Sequence, residues 1–299
     1  MRGSLKDLDR SGLWHLLVVY VVWGSTYLAI RIAVREGAGF PPFTMGFMRA
    51  AAGGLILLAW SWIRRQKMRP TRREALILAQ SGLLLWVGGN GLVTFAEQRV
   101  ESGLAALMVA AIPIWSMIFE SVLDRKLPSL RLTLALLIGF GGIALLSAPS
   151  LTSGVRADAI AMLALLGATI TWASGSLLQA RNPVSLSNRV SSAYQMLFGT
   201  IGFAIIAWLM NEPTPTPTNE AWLAWGYLVI FGSVFAFTSY VAALQKLPTR
   251  IVMTYAYVNP VLAVILGWWI LSEQITVWTV AGSLLVLLGV TGVFRERYR

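Results

Sequence analysis

The sequence contains no cysteine, a single histidine and only 13 acidic residues among its 299. The absence of cysteine excludes disulfides, thiolate metal sites and cysteine nucleophiles. Neither an H-E-x-x-H zinc motif nor a G-x-x-x-x-G-K-[ST] phosphate loop is present. The sequence therefore shows no motif for catalysis or for ATP-driven pumping. We expect no enzymatic activity, no catalytic residues, no metal and no cofactor.

The sequence has few charged residues of either sign and many long hydrophobic segments. Charged residues make up 12% of the chain and hydrophobic residues 57%, whereas soluble domains carry about 25% charged residues. The apolar residues form ten segments of about 17–24 residues, each long enough to cross a bilayer as a helix. These segments are 13–34, 43–63, 75–96, 102–123, 130–148, 157–179, 189–210, 221–243, 250–271 and 276–294. The pattern predicts an all-α integral membrane protein surrounded by the lipid bilayer.

The basic residues lie mostly in alternate connections between these segments. With the N-terminus in the cytoplasm, 19 of the 24 lysines and arginines fall in cytoplasmic connections and termini. This asymmetry predicts a multi-pass protein with both termini in the cytoplasm. The net charge of +11 forms no basic patch interleaved with aromatics, so no nucleic-acid partner is expected. The connection 211–220, NEPTPTPTNE, has no basic residue and predicts an extended, solvated segment on the other side.

The second half of the sequence repeats features of the first. Pro113 and Pro260 are 147 residues apart, as are Gly142 and Gly289. Because five spans per half is an odd number, the second half enters the membrane in the opposite direction. We therefore predict ten transmembrane helices as two inverted five-helix repeats, residues 1–150 and 151–299. In secondary transporters this architecture places the substrate near the midplane, between the halves.

Two of the repeated residues are prolines in the middle of spans. A proline removes a backbone donor and crowds the preceding turn, so it bends a helix and exposes polar backbone. Irregular backbone persists in lipid only where protein covers it or a cavity adjoins it. We predict that Pro113, Pro260, Gly24 and Gly175 are hinges beside a central cavity.

Aromatic and polar side chains recur along several spans at helical spacing. In the first span Tyr20, Trp23 and Tyr27 share one face, and Trp23 lies too deep for an aromatic belt at the membrane surface. A single stripe of this kind more often packs against a neighbouring helix than lines a pocket. Asn90, in the third span, can pair with a neighbouring helix or with a substrate. Because such aromatic and polar side chains occur on several spans, we favour a substrate cavity. The predicted lining is Trp23, Tyr27, Trp86, Asn90, Trp115, Trp172, Ser176, Ser239, Tyr255 and Asn259.

Charged residues within the spans are few. Arg49 lies inside the second span and Arg31 near the end of the first. Either can hold a substrate carboxylate, but the sequence favours a structural pair or snorkelling. Glu97, Glu120 and Glu273 fall at span ends. Since no carboxylate occupies the middle of a span, we expect a facilitator rather than a proton pump.

A family resemblance covers nearly the whole chain. The residues that carry it are Trp23-Gly-Ser-Thr, Phe47-Met-Arg49, Pro113 with Asp124-Arg-Lys, Pro260 with Leu271-Ser-Glu273-Gln-Ile-Thr276, and Gly282-Ser-Leu-Leu-Val-Leu-Leu-Gly289-Val. On these motifs the chain resembles the EamA family of the drug/metabolite transporter (DMT) superfamily. Within it, the chain looks most like the YddG-type exporters of aromatic and other neutral amino acids. The resemblance implies alternating access in a bacterial inner membrane, around a cavity lined by spans 1, 3, 4, 6, 8 and 9.

These features together predict an exporter or facilitator of aromatic and other neutral amino acids, or of similar small metabolites. Aromatic rings would contact the cargo's side chain, while Asn90, Asn259 and backbone near the prolines would hold its ammonium and carboxylate groups. The alternative is a drug or other metabolite exporter of the same superfamily. A more distant alternative is a membrane protein that interacts with partners and transports nothing. The sequence leaves the energy source open, together with the choice between monomer and homo-oligomer.

Overall fold

The computed structural model of the protein describes residues 9–100, 105, 108–152, 159–262 and 277–296, and these ranges are helical apart from short connections. The helices are α1 Arg10–Val34, α2 Pro42–Ile63, α3 Arg72–Ala96, α4 Ile112–Asp124, α5 Leu130–Thr152, α6 Ala159–Arg181, α7 Asn188–Leu209, α8 Asn219–Lys246, α9 Thr249–Val252 and α10 Val277–Glu296. Residues 255–262 are helical as well. Within these described ranges, six helices (α1, α2, α3, α6, α7 and α8) are long and apolar enough to cross a membrane. The predicted all-helical membrane fold is confirmed, while Glu273 lies outside the described residues.

Polar side chains at the helix starts explain where the helices begin. The Asp9 carboxylate accepts hydrogen bonds from the backbone N–H groups of Ser11 and Gly12, at 2.8 and 3.2 Å. Its hydrogen bond with Lys246 and the one with Gly12 hold the pKa of Asp9 below its usual range. Thr71 and Glu74 cap each other's backbone at the start of α3. Each cap satisfies backbone donors that the first helical turn leaves free.

Ion pairs and hydrogen bonds bring several helix ends together. Asp9 pairs with Lys246 at 3.2 Å, and Asp124 pairs with Arg181 at 2.8 Å. Ser129, just before α5, donates to the carboxylate of Glu296 at the end of α10. We call this side of the bundle the basic end; its connections are residues 64–71, 125–129, 182–187 and 247–248. The other side, formed by residues 35–41, 97–100 and 210–218, is the opposite end. Residues 9 and 296 both lie at the basic end, as an even number of spans requires.

Glycines let α5 and α10 pack backbone to backbone. A Cβ atom added at Gly289 would lie 2.6 Å from the Cα of Gly139, and one at Gly142 would lie 2.7 Å from the Val286 nitrogen. Small residues permit this close approach between membrane helices. The repeat-related glycines Gly142 and Gly289 therefore belong to one interface, between the last helices of the two halves.

Two of the long helices change their winding part-way. Leu83–Gly91 of α3 and Leu228–Phe237 of α8 are π-helical, and they occupy corresponding positions in the two halves. In the second segment the Ser233 hydroxyl donates to the Leu228 carbonyl, five residues earlier, at 3.0 Å. π-helical turns are rare and concentrate at functional sites. Gly89 and Asn90 of the first segment line the cavity described below, and Gly232 and Ser233 of the second hold two of its lining side chains.

Helix interruptions precede both repeated prolines. Residues 110–111 form a turn, and Pro113 occupies the first turn of α4, where its missing N–H costs no helical hydrogen bond. Residues 253–254 form a second turn, and Pro260 lies within the helical segment 255–262 that follows. The helix is therefore interrupted before each proline, and not at the proline as expected. Pro113 begins a helix instead of bending one.

The proline-rich connection after α7 packs against the loop between α1 and α2. The N–H groups of Thr216 and Thr218 donate to the carbonyls of Gly39 and Ala38, at 2.9 and 3.1 Å. Gly39 has a φ of +88°, and a Cβ there would lie 2.1 Å from the Thr216 oxygen, so only glycine fits. The connection is extended and largely exposed, as predicted, and these two hydrogen bonds fix it to the α1–α2 loop. Glycine at position 39 made this docking possible.

Glu212 in this connection caps α2. Its carboxylate accepts hydrogen bonds from the N–H groups of Phe43 and Thr44, at 2.9 and 2.6 Å, and from the Thr44 hydroxyl at 2.7 Å. We expect Glu212→Ala to destabilise the protein by about 1–2 kcal/mol, as other lost helix caps do. Thermal unfolding of the purified protein in detergent measures this change.

Glu220→Ala is the matched control for Glu212→Ala. Glu220 forms an ion pair with Arg35 at 3.0 Å, but its side chain is 72% exposed. Exposed ion pairs contribute little to stability, so the melting temperature should barely change. Equal shifts for both variants would contradict the capping role of Glu212.

Candidate functional site

A cavity lies between α1, α2, α3, the start of α4, α6 and the segment 255–262. Its lining is Trp23, Thr26, Tyr27, Ile30, Arg49, Gly89, Asn90, Val93, Val109, Ile112, Ala168, Trp172, Tyr255 and Asn259. On α1 the lining begins at the middle of the helix and continues toward its C-terminal end. The cavity thus occupies the half of the bundle nearer the opposite end. Its volume of about 60 Å³ has room for roughly four to six water molecules.

Four aromatic rings close the cavity toward the basic end. The Trp23 ring lies 5.4 Å from Trp172, 5.0 Å from Tyr240 and 5.0 Å from Tyr255, centre to centre. Tyr240 and Tyr255 meet edge to face at 5.7 Å. Such tilted and edge-to-face pairs are the favoured aromatic geometries. We call these four residues the aromatic wall.

Hydrogen bonds hold the rings of the wall in place. The Trp23 indole N–H donates to the Gly232 carbonyl at 3.2 Å, in the π-helical segment of α8. The Trp172 indole N–H donates to the Tyr240 hydroxyl at 3.0 Å, and that hydroxyl also hydrogen-bonds Ser176. The polar atoms of both tryptophans are therefore satisfied within the protein. What the two tryptophans offer the cavity is apolar ring surface.

Arg49 brings a positive charge into the cavity. Its side chain is buried, its Nε donates to the Ser233 hydroxyl at 2.9 Å, and one terminal nitrogen lies 3.5 Å from Asn90 Oδ1. The guanidinium lies over the Trp86 ring, 5.4 Å from its centre. Asn90 and Ser233 belong to the two π-helical segments, which thus flank Arg49 from both halves. A guanidinium has five N–H donors, so these contacts leave donors for a ligand.

Asn259 joins the segment 255–262 to α1. In the amide orientation that satisfies both groups, its nitrogen donates to the carbonyls of Tyr20 and Tyr255, each at 3.1 Å. The Tyr20 hydroxyl hydrogen-bonds Thr254 at 2.5 Å, and a Cβ on Gly24 would lie 3.1 Å from Leu262. The amide nitrogen of Asn259 is thus engaged by backbone, and its oxygen is the atom that can accept from a ligand.

The structure brings six of the ten sequence-predicted lining residues to the cavity: Trp23, Tyr27, Asn90, Trp172, Tyr255 and Asn259. Of the other four, Trp86 lies beneath Arg49, and Ser176 supports the aromatic wall. Trp115 stacks on Phe119 at 6.0 Å, and Ser239 hydrogen-bonds His15 at 3.3 Å in a separate groove near the basic end. These four side chains do not line the cavity.

Sequence reasoning missed several residues of the site. It left Arg49 out of the predicted lining, although an arginine inside an apolar span was the available signal. The structural contacts that it favoured for Arg49 are present, with Ser233 and Asn90. Tyr240 and Ser233 carried no signal, because their importance comes from the partners that they meet across helices. Gly175, predicted as a hinge, packs closely against α3, since a Cβ there would lie 2.9 Å from both Leu84 and Leu85.

Gly89 offers a direct test of the cavity. A Cβ at this position would lie 2.4 Å from a ring carbon of Trp172. We expect Gly89→Ala to push the Trp172 ring into the cavity, to destabilise the protein by about 1–3 kcal/mol and to weaken ligand binding. Ligand-dependent thermal shift measures both effects. Gly226→Ala is the control, because nothing lies within 4 Å of the added Cβ; an equal response of both variants would contradict the crowding argument.

Comparison with known proteins identifies the family. The sequence model of the EamA-like transporter family matches the chain twice, over residues 10–148 and 159–295. The chain belongs to the EamA-like transporter family. The EamA repeat thus occurs twice in this protein, in agreement with the DMT-type fold of two inverted five-helix repeats.

Named relatives and a solved structure agree with this assignment. The chain is 37% identical over 254 residues to YedA of Escherichia coli strain K12, described as an uncharacterized inner membrane transporter; the match covers 84% of this chain and 80% of YedA. It is 21% identical to the uncharacterized transporter YoaV of Bacillus subtilis strain 168, over 92% of this chain and 94% of YoaV. A crystal structure with 20% sequence identity has the same fold, with a TM-score of 0.78 over 97% of this chain and 98% of the other.

Membership of this family establishes the general function. This protein is a membrane transporter of small molecules, and its relatives are described as transporters. In the part of the chain that the structure describes, no group of three or more histidine, aspartate or glutamate side chains could hold a metal ion.

Proposed function

We propose that this protein moves aromatic and other neutral amino acids across a bacterial inner membrane. The observation that carries the proposal is the pairing, in one cavity, of the aromatic wall with the buried guanidinium of Arg49. A free amino acid presents an α-carboxylate, an ammonium group and a side chain. The cavity has a complementary group for each. The likeness to YddG-type exporters points to the same cargo.

The carboxylate is assigned to Arg49 and Asn90. Charge-assisted hydrogen bonds from a guanidinium to a carboxylate are among the strongest in proteins. Because Asn90 Oδ1 faces Arg49, its amide nitrogen is the group that donates to the cargo. The Asn259 oxygen accepts from the ammonium, and the side chain of an aromatic cargo packs against Trp23 and Trp172.

We further propose that transport proceeds by alternating access. The aromatic wall closes it toward the basic end, and the stacked rings of Phe43 and Phe95, 5.9 Å apart, lie toward the opposite end. The cavity has room for roughly four to six water molecules, fewer than the non-hydrogen atoms of phenylalanine, so loading an aromatic cargo requires the walls to separate. The proposed units are residues 1–150 and 151–299, with hinges at Gly24, Pro113, Gly175 and Pro260. The basic end is assigned to the cytoplasm together with both termini.

Transport into proteoliposomes tests the cargo. We expect labelled phenylalanine, tryptophan and methionine to enter vesicles that contain the purified protein faster than empty vesicles. Vesicles with the Arg49→Met variant are the negative control. Uptake of a drug or another metabolite, with all three amino acids at the rate of empty vesicles, would replace the amino-acid assignment by the alternative exporter.

A further inference from the structure

A buried cluster of amides and hydroxyls lies between α3, α6 and α7, on the basic-end side of the aromatic wall. Gln195 on α7 is completely buried, and its Nε2 donates to Ser81 Oγ on α3 and to Gln179 Oε1 on α6, each at 2.7 Å. Gln195 comes eight residues after Ser187, which caps the start of α7, so it lies about 12 Å inside the bundle. Polar side chains at such depth in a membrane protein mark functional positions.

Four polar atoms in this region have no partner. Gln195 Oε1, Gln179 Nε2 and the hydroxyl oxygens of Ser191 and Ser192 are buried without a hydrogen bond to any described residue. Nearly all buried polar groups in proteins are hydrogen-bonded, and an unpaired one is destabilising. These four atoms would all be satisfied in a conformation that admits water or a polar ligand.

On α7 the polar side chains continue from this cluster to the basic end. Ser187, Ser191 and Gln195 follow one another at intervals of four residues, so they share one face of the helix. The Ser187 hydroxyl donates to the Gln66 side chain at 2.8 Å, in the connection 64–71. The polar face of α7 therefore reaches the surface at the basic end.

On α6 the polar side chains continue from the cluster to the aromatic wall. Ser176 lies three residues before Gln179, on the same face of the helix. Its hydroxyl hydrogen-bonds the hydroxyl of Tyr240, a member of the wall. We call the side chains that connect the basic end to the wall the polar row. The polar row consists of Ser187, Ser191, Ser192, Gln195, Gln179 and Ser176.

The face of α7 that packs against α2 is apolar. Ala193 and Met196 belong to the hydrophobic core, and a Cβ added at Gly53 of α2 would lie 3.1 Å from the Met196 sulfur. The polar side chains of α7 are thus directed to the side where Gln195 meets α3 and α6. Because only one side of the helix is polar, the two sides should differ in their access to water.

A membrane transporter needs a route from its cavity to each side, and the aromatic wall blocks the route to the basic end in this conformation. We propose that the polar row lines this route: it is closed here, and it admits water and cargo when the wall separates. The proposal rests on alternating access but not on the amino-acid cargo. The row has no charged side chain, and its amides and hydroxyls both donate and accept hydrogen bonds. It therefore suits a polar cargo without net charge, which no fixed charge retains on the way.

The absence of cysteine from the chain permits a test by single-cysteine labelling. In the full chain, Ser191→Cys and Ser192→Cys place a thiol in the polar row by the change of one atom. Ala193→Cys, in the same turn, is the matched control in the apolar core. Lys126→Cys, in the exposed connection 125–129, shows which molecules present the basic end to the reagent. Each variant is reconstituted into lipid vesicles and treated with sulfonatoethyl methanethiosulfonate, a charged thiol reagent that does not cross the bilayer.

We expect both serine-to-cysteine variants to be labelled from the basic end. A second conformation is commonly populated at about 0.1–10%, so their rates should be about 0.1–10% of the Lys126→Cys rate. Ala193→Cys should stay unlabelled over the same time. Protection of both serine positions like that of Ala193→Cys, or labelling from the opposite end only, would overturn the proposal. Equal labelling of all three positions would also overturn it, because that result would indicate unfolding of α7.

Ser192→Ala in the Ser191→Cys background tests the role of the unpaired atoms. Removing an unpaired hydroxyl favours the closed row, so labelling of Ser191→Cys should become slower by about fivefold or more. Thr200→Ala is the control on the same helix, because the Thr200 hydroxyl already donates to the Met196 carbonyl at 2.9 Å; it should leave labelling unchanged. Equal effects of the two alanine variants would contradict the proposal, since Ser192 would then not change its surroundings on opening.

The response to cargo separates this proposal from the amino-acid assignment. Labelling without cargo tests the polar row alone. Phenylalanine, tryptophan and methionine should each change the labelling rate of Ser191→Cys if they are cargo. A row that is labelled but responds to none of the three would refute the amino-acid cargo and uphold the route. A row that is protected under every condition refutes the route, whatever the uptake assay shows.

Discussion

Arg49→Met is expected to abolish transport of carboxylate-bearing cargo, with binding weakened by about 100-fold. The loss of a hydrogen-bonded charge partner for the cargo carboxylate is worth about 1.5–3 kcal/mol, and tenfold in affinity corresponds to about 1.4 kcal/mol. Methionine keeps most of the volume and the packing on Trp86. Phenylalanine binding to the purified protein, followed by uptake into proteoliposomes, measures the effect.

Arg189→Met is the matched control for Arg49→Met. Arg189 also lies over a tryptophan ring, that of Trp60 at 5.0 Å, but outside the cavity. Its replacement should leave binding unchanged. A ligand without the carboxylate, phenethylamine, should bind the wild type and Arg49→Met equally. If Arg49→Met instead weakened both ligands to the same extent, the guanidinium would hold the shape of the cavity and not the carboxylate.

Trp23→Ala is expected to have the largest effect on stability. The Trp23 ring contacts the other three members of the aromatic wall and donates to Gly232. Buried tryptophan-to-alanine changes cost about 3–5 kcal/mol, because the surroundings collapse only partly. We also expect phenylalanine to lose more affinity than leucine, since the ring-to-ring contact disappears. Thermal unfolding and competition binding with the two amino acids measure these effects.

Trp115→Ala distinguishes the structural assignment from the sequence prediction. The sequence placed Trp115 in the cavity lining, whereas the structure places it beside Phe119 outside the cavity. The side chain is only partly buried, so the variant should be less destabilised than Trp23→Ala and should bind phenylalanine like the wild type. A selective loss of aromatic cargo in Trp115→Ala would show that the cavity lining described for α4 is wrong.

The fold and the family could be predicted from the sequence by itself. A bilayer requires about 20 apolar residues per helix, and that requirement is local, so it can be read from each segment independently. The motifs near Arg49 and between Pro260 and Gly289 carried the family resemblance. Six lining residues, among them Trp23 and Asn90, were predicted because aromatic and amide side chains deep in a span stand out from their neighbours.

Only the tertiary structure decided which polar groups meet. The sequence could not show that Arg49 contacts Ser233 and Asn90, because π-helical winding changes the direction of side chains relative to an ordinary helix. It could not separate Trp115 from Trp172, since both lie at helical spacing near the middle of a span. The complete burial of Glu97 depends on the packing of α1 and α6 around the end of α3. Hydrophobicity is a sum over local residues, whereas a site is a set of distances between helices, and those distances exist only in the folded bundle.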